Sequence, residues 1–335
     1  MMKWKPPKEW TRIDTIEMHT GGEPLRVVTA GLPVIFGDTV LEKRRYFRDH
    51  YDYLRKSLMW EPRGHADMYG AVVTPSIQAD FDVFFLHNEG YSTMCGHAMI
   101  ALIKLVLESG MGRDAAPTFS VPAGLIRTRA VRMNGVVHRS FFRAVPSFVY
   151  LQDQRVEVPG IGLVQFDIAY GGAFYAFVSA ESLGLELDVS HYMRLIDFGR
   201  RIKEAVMRSF PVQHPFEADL SFLYGTIFTG PAKDPRHHSR NVCIFADGEV
   251  DRSPTGSGVS ARAALHYARG DLSIGQIITI ESIIGSVMTV EVVETTRFDS
   301  YEAVVPEVGG SAAIIGRSEF YLDPSDSLGA GFLLR

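Results

Sequence analysis

The feature that most constrains the fold of this 335-residue chain is a helical segment with apolar residues on every face. Residues 98–107 read Ala-Met-Ile-Ala-Leu-Ile-Lys-Leu-Val-Leu, and Lys104 is the one charged residue among them. A helix that is apolar all round has to be buried on all sides, and this segment is far too short to cross a bilayer. The sequence therefore predicts a buried central helix in a soluble protein.

A second segment repeats this arrangement later in the chain. Residues 259–267 read Val-Ser-Ala-Arg-Ala-Ala-Leu-His-Tyr, which is less apolar but still helical in pattern. Each segment follows a glycine turn and lies between short runs rich in β-branched and aromatic residues, which predict strands. Further helices are predicted at residues 42–58 and 195–208. We therefore expect two strand-rich units, each around one helix, with a boundary near residues 145–159, where prolines bracket a short charged stretch.

Cys95 stands directly before the first buried helix, in the sequence Met-Cys-Gly-His of residues 94–97. A thiol has an ordinary pKa of about 8.5, and a position at a helix N-terminus lowers it. A thiolate placed there can act as a base or as a nucleophile. The alternative is that Cys95 is a small buried hydrophobic residue, which is common for free cysteine.

Thr255 holds the matching place before the second helix, in the sequence Pro-Thr-Gly-Ser-Gly of residues 254–258. Its hydroxyl is a poor acid or base unless a neighbour activates it. The alternative is that Thr255 only caps the helix. The glycine turns at both helix starts suit an anion, because their N–H groups can hold a carboxylate. Residues 256–261 also match the dinucleotide pattern G-x-G-x-x-A, but they follow Ser-Pro rather than a strand, which argues against a nucleotide site.

Composition and charge exclude several other classes of protein. The net charge of −5 gives no basic surface for nucleic acid. Two cysteines are too few for a secreted disulfide framework, and residues 1–10 lack the apolar core of a signal peptide. These features predict a cytoplasmic protein. No metal site is predicted, because His237 and His238 are adjacent and point in different directions on a strand.

Taken together, five segments resemble the proline racemase family: residues 18–24, 63–65, 87–97, 251–258 and 306–310. The resemblance implies an α/β (α+β) fold like that of diaminopimelate epimerase. Two similar domains would each wrap a curved, mostly antiparallel sheet around a central helix, with the active site between them. The domains would span residues 1–150 and 151–319, and residues 320–335 would return to the first domain.

The resemblance also implies roles for individual residues. Cys95 would be the base, and the substrate would be a small imino acid. The reaction would need no metal or organic cofactor. The implied substrate contacts are Gly96, His97, Asp251, Gly256 and Ser257. Racemases and 4-hydroxyproline 2-epimerases of the family carry a second catalytic cysteine at the position that Thr255 holds here.

A threonine at this position resembles the branch of the family that dehydrates trans-3-hydroxy-L-proline to Δ1-pyrroline-2-carboxylate. In that reaction Cys95 would remove the α-proton, and Thr255 would face it from the other side. Two alternatives stay open at this point: a proline racemase or 4-hydroxyproline 2-epimerase, and a non-catalytic imino-acid-binding protein. The sequence predicts no nucleic-acid or membrane partner and leaves a homodimer open.

Overall fold

A computed structural model describes residues 4–112 and 115–334 of the chain. Residues 1–3, 113–114 and 335, which include parts of the predicted polar start and of the C-terminal segment, lie outside the described residues. The helices are α1 (Val40–Met59), α2 (Gly96–Ser109), α3 (Tyr192–Ser209) and α4 (Gly256–Ala268).

The strands are numbered in chain order. They are β1 (Thr11–Thr20), β2 (Glu23–Ala30), β3 (Gly70–Pro75), β4 (Phe81–Leu86), β5 (Tyr91–Ser92), β6 (Phe119–Val121), β7 (Gly124–Met133), β8 (Val136–Arg143), β9 (Ser147–Val158), β10 (Gly162–Tyr170), β11 (Phe174–Ser179), β12 (Leu223–Gly230), β13 (Ser239–Phe245), β14 (Glu249–Val250), β15 (Ile278–Glu281), β16 (Val287–Phe298), β17 (Tyr301–Gly310) and β18 (Ala312–Leu322).

The pairing of the strands repeats in the two halves of the chain. In the first half, β1–β2 is antiparallel, β2–β3 parallel, β3–β4 antiparallel and β4–β6 parallel. In the second half, β10–β11, β11–β12, β12–β13 and β13–β15 follow the same alternation. Parallel neighbours need a crossover connection, and each parallel pair has one helix in its connection: α1, α2, α3 and α4 in turn. The predicted α/β class and the twofold repeat are confirmed.

The second half closes on itself around α4. Strand β17 pairs with β9 as well as with β8 and β16, which completes a ring of strands from β9 to β17. Helix α4 packs against β9, β10, β11, β16 and β17 from inside this ring. The last strand, β18, pairs along its whole length with β1, so the C-terminal part of the chain lies beside its N-terminal part. The domain boundary near residue 150 stays a prediction.

Helix α2 is buried as its composition requires. Every residue from Gly96 to Leu107 is buried, including Lys104. The Lys104 ammonium is not left unpaired, because it donates to Glu108 Oε1 at 2.7 Å and to the Val137 carbonyl at 2.9 Å. Within residues 4–112 and 115–334, no helix has the length and apolarity that a membrane crossing requires.

Both central helices begin earlier than predicted, because the glycines expected to form turns are their first helical residues. The starts of α2 and α4 touch each other through these glycines. A Cβ atom on Gly96 would lie 2.4 Å from the Cα of Gly256, and one on Gly256 would lie 2.7 Å from the Cα of Gly96. Real Cβ contacts essentially never fall below 3.0 Å. Glycine at both positions therefore allows the two helix starts to meet.

We expect Gly96→Ala to lower the free energy of unfolding by about 1–3 kcal/mol, because the added methyl group has no space and forces the two helix starts apart. Urea unfolding monitored by circular dichroism measures this. Gly316→Ala is the matched control, since its Cβ would meet no atom within 4 Å. Equal stability of the two variants would show that the close approach of the helix starts is unimportant.

Candidate active site

The starts of α2 and α4 border a small, tightly packed cavity. Its lining includes all seven residues that the resemblance implied: Cys95, Gly96, His97, Asp251, Thr255, Gly256 and Ser257. Five more residues complete the lining: Tyr69, Met94, Tyr175, Tyr224 and Phe245. Residues far apart in the sequence thus share one small space, and both halves of the chain contribute to it.

Cys95 is the N-cap residue of α2, and its side chain is turned toward polar groups. The Ala98 N–H donates to Cys95 Sγ at 3.4 Å, and His97 Nδ1 lies 3.1 Å from the same sulfur. The first N–H groups of a helix have no partner within the helix and carry partial positive charge. The sulfur therefore lies where a negative charge is stabilised by the helix start.

The pKa of the Cys95 thiol is nevertheless raised, whereas the sequence predicted that it would be lowered. Burial raises this pKa well above its ordinary value, and the nearby carboxyl groups of Asp251 and Glu23 raise it further, while the Ala98 N–H and the Tyr69 hydroxyl act in the opposite direction. The expectation of a lowered pKa is wrong for this buried site. Loss of hydration destabilises the thiolate more than the N–H groups of the helix start stabilise it. A thiolate in this cavity needs an additional positive charge.

Thr255 occupies the N-cap position of α4 but does not cap the helix with its side chain. Its φ angle of 70° is left-handed, which is rare for a β-branched residue and costs about 1–3 kcal/mol. The Thr255 N–H donates to Ser253 Oγ at 3.2 Å. Its hydroxyl group is buried and interacts with the Asp251 carboxyl and the Cys243 thiol, and it lowers the pKa of each. Capping alone therefore does not account for this residue.

Two buried carboxyl groups lie beside the thiol. Asp251 accepts a hydrogen bond from the Ser253 N–H at 2.7 Å, and burial raises its pKa to about 6. Glu23 accepts one from the Arg252 N–H at 2.7 Å, and burial, followed by the charge of Asp251, raises its pKa well above the ordinary value. At neutral pH Asp251 is therefore mainly ionised, whereas burial of Glu23 favours its protonated form.

His97 is a neutral imidazole, because burial lowers its pKa to about 3. One side-chain atom each of Glu23, His97 and Asp251 lies within 4.8 Å of the others, so this group has the donor atoms for a divalent cation. Elsewhere in the described part of the chain, a similar group at Glu186, Asp188 and His191 is more exposed. The expectation that no metal is needed stays a prediction.

Sequence reasoning missed the aromatic part of the cavity wall. The Tyr175 hydroxyl lies 2.7 Å from Ser257 Oγ, and the Tyr224 hydroxyl lies 3.5 Å from that of Tyr69. The Phe245 ring stacks on Tyr224 with 5.3 Å between ring centres. In the sequence these residues look like any buried aromatic residue of a strand, and periodicity cannot separate the two cases.

Other polar contacts join the two halves of the chain around the cavity. Asp67 accepts hydrogen bonds from the Val250 N–H at 3.2 Å and from the Arg252 guanidinium at 2.9 Å. The segment at residues 63–65, part of the family resemblance, lies after α1 and does not line the cavity. There the Arg63 carbonyl accepts a hydrogen bond from Arg26 at 2.8 Å, so this segment supports the fold.

Comparisons with known proteins agree with this geometry. The sequence profile of the proline racemase family matches residues 15–333. The chain belongs to the proline racemase family. A family member from Colwellia psychrerythraea, named trans-3-hydroxy-L-proline dehydratase, is 52% identical over 99% of this chain and 96% of its own length. A Homo sapiens protein with the same name is 46% identical over 96% of this chain and 95% of its own length.

Solved structures of other proteins have the same fold. The crystal structure of a hydroxyproline epimerase from Agrobacterium vitis, with bound trans-4-hydroxy-L-proline, matches with a TM-score of 0.92 at 30% identity, covering 98% of this chain and 96% of that chain. A Bacillus anthracis protein of the PhzF family matches with a TM-score of 0.60 at 13% identity, covering 92% of this chain and 99% of that chain. The latter shows the fold alone.

We expect iodoacetamide to alkylate Cys95 and to leave Cys243, which is fully buried in the core, unmodified. The reactive species is the thiolate, so the rate should keep rising with pH beyond about 8.5, the ordinary thiol pKa. Peptide mass spectrometry after timed quenching measures both the site and the rate. Modification of Cys243 first, or a rate that levels off below neutral pH, would contradict the described state of the thiol.

Proposed function

We propose that this chain catalyses the cofactor-independent dehydration of trans-3-hydroxy-L-proline to Δ1-pyrroline-2-carboxylate. The observation that carries the proposal is the asymmetry of the cavity, with the Cys95 thiol at the start of one helix and the Thr255 hydroxyl at the start of the other. The names of relatives at 46–52% identity support the same reaction. The asymmetry matters because dehydration needs a base on only one face of the substrate ring.

Binding of the substrate follows from the charges around the cavity. The first N–H groups of α2 and α4 would hold the carboxylate, with Gly96 and Gly256 allowing its close approach and Ser257 adding a hydroxyl. The ionised Asp251 would pair with the ring nitrogen, which is a secondary ammonium. This cation also supplies the positive charge that the buried Cys95 thiolate needs.

The stereochemistry of the substrate then fixes the chemical steps. The 3-hydroxyl lies on the ring face opposite the carboxylate, and so it shares a face with the α-hydrogen. The Cys95 thiolate removes the α-proton, and negative charge develops on the carboxylate oxygens, where the helix N–H groups stabilise it. Loss of the hydroxyl from the same face gives an enamine, which tautomerises to the cyclic imine.

Racemisation or epimerisation is the second candidate, and the observation in its favour is the match to the Agrobacterium vitis epimerase with bound trans-4-hydroxy-L-proline. This reaction needs an acid on the second face of Cα. Thr255 is the residue on that side, and an alcohol does not exchange protons as a thiol does. The cavity therefore favours elimination over inversion.

Incubation of the protein with trans-3-hydroxy-L-proline, with the cyclic imine detected by mass spectrometry, tests the proposal. We expect turnover by the wild type and a loss of about 10²–10⁴-fold in Cys95→Ser, because a positioned general base contributes that much. The fold of the variant is checked by circular dichroism. Near-normal turnover in the variant would contradict the role of Cys95, and binding without turnover in the wild type would favour a non-catalytic protein.

Thr255→Cys tests the role of the second face. We expect this variant to exchange the α-hydrogen of L-proline with solvent deuterium and to invert its configuration, because a thiol on each face can supply and remove the proton. Chiral chromatography with mass detection in D₂O gives both quantities, with the wild type as reference. A variant that behaves as the wild type would show that residue 255 does not decide between elimination and inversion.

Two expectations from the sequence complete the proposal. We propose a cytoplasmic location and a small imino acid as the partner, and a homodimer stays open. Cell fractionation and light scattering measure the location and the oligomeric state, respectively.

A further inference from the structure

The dehydration leaves one proton transfer without an assigned donor. The hydroxyl group departs from the face of the ring that Cys95 contacts, so its proton donor has to lie on the Cys95 side of the cavity. The lining residues contributed by the first half of the chain are Tyr69, Met94, Cys95, Gly96 and His97. Apart from the thiol itself, the side chains among them with a proton to donate are Tyr69 and His97.

His97 is already engaged with the base. Its Nδ1 atom lies 3.1 Å from Cys95 Sγ and its Nε2 atom 3.8 Å, so the imidazole lies against the sulfur. The ring is neutral at any pH at which the protein would work, because burial lowers its pKa to about 3. His97 is therefore suited to orienting the sulfur rather than to protonating a second group.

Tyr69 is held rigidly at the same place. It lies directly before β3, and its side chain is almost fully buried. Its ring meets the edge of His97 with 4.8 Å between ring centres. Its hydroxyl is hydrogen-bonded to Ser92 Oγ and lies 3.5 Å from the Tyr224 hydroxyl. These contacts fix the phenol oxygen at the cavity wall beside the thiol.

The Tyr69 hydroxyl also interacts with Cys95. It is one of the groups that lower the pKa of the buried thiol, and the thiol in turn raises the pKa of Tyr69 after the larger effect of burial. Tyr69 therefore keeps its proton at neutral pH. It is a neutral donor placed next to the atom that takes up the α-proton.

We propose that Tyr69 is a further catalytic residue, which donates its phenolic proton to the departing 3-hydroxyl group. The inference rests on the proposed dehydration. The Cys95 thiolate takes the α-proton, the electron pair of that bond forms the double bond between C2 and C3, and the C3–O bond breaks. The leaving oxygen takes the Tyr69 proton and departs as water. The thiol proton then passes to the phenolate oxygen, which restores both residues.

The hydroxyl groups of Ser92 and Tyr224 stabilise Tyr69 during these proton transfers. Between the two proton transfers the Tyr69 oxygen carries negative charge in a cavity without bulk water. Hydrogen bonds to a charged oxygen are stronger than those between neutral groups, so these two neighbours stabilise the phenolate as it forms. No external acid or base is consumed in a turnover.

Tyr69→Phe tests the proposal, because it removes the donor but keeps the ring. We expect imine formation from trans-3-hydroxy-L-proline to fall about 10²–10⁴-fold, while Cys95 continues to remove the α-proton. In D₂O the recovered substrate should therefore gain deuterium at Cα with its configuration retained. Tyr170→Phe is the matched control, since it deletes the hydroxyl of a fully buried tyrosine that does not line the cavity. Its ratio of exchange to elimination should equal that of the wild type.

A substrate with a different leaving group distinguishes loss of the proton donor from misfolding of the variant. Fluoride can leave as the anion without being protonated. Tyr69→Phe should therefore eliminate fluoride from trans-3-fluoro-L-proline at a rate close to that of the wild type. Equal slowing of the hydroxyl and fluoro substrates, or undiminished dehydration, would overturn the assignment of Tyr69. Absence of dehydration by the wild type would instead overturn the proposed function.

Discussion

The contact between Gly96 and Gly256 is the constraint on which the rest of the site depends. Because neither residue has a side chain, the starts of α2 and α4 come together at a distance that a single methyl group would prevent. The N-termini of both helices, where the first N–H groups lack a partner within the helix, then border one small cavity. The residues that precede the helices, Cys95 and Thr255, are thereby brought into the same cavity, where we propose that they contact opposite faces of the bound ring.

Closure of the cavity has an electrostatic consequence that a single helix would not produce. Burial raises the pKa of Cys95 well above its usual value and that of Asp251 to about 6. In the absence of a cation, a thiolate beside an ionised carboxylate is unfavourable. A zwitterionic imino acid brings a cation for Asp251 and a carboxylate for the helix starts. In the proposed function, the charges of the substrate therefore complete the site.

The sequence predicted the parts of the molecule that depend on local pattern. Amphipathic, apolar or alanine-rich patterns identified the four α-helices of the described residues. The resemblance to the proline racemase family implied seven residues, and all of them line the cavity. The raised pKa of Cys95 was not predictable, because it depends on burial by the other half of the chain. Tyr69 was missed for a related reason. The position of its hydroxyl group depends on neighbours such as Ser92, and no sequence pattern shows that these residues lie close together.

The central claim is that the α-proton and the hydroxyl group leave from the same face of the ring, the face that the Cys95 thiol contacts. Comparison of trans-3-hydroxy-L-proline with cis-3-hydroxy-L-proline tests this most directly, because the two differ only in the face that carries the hydroxyl. The account predicts imine formation from the trans isomer and a rate at least about 100-fold lower for the cis isomer, whose hydroxyl points away from Cys95. Similar rates for the two isomers would contradict it.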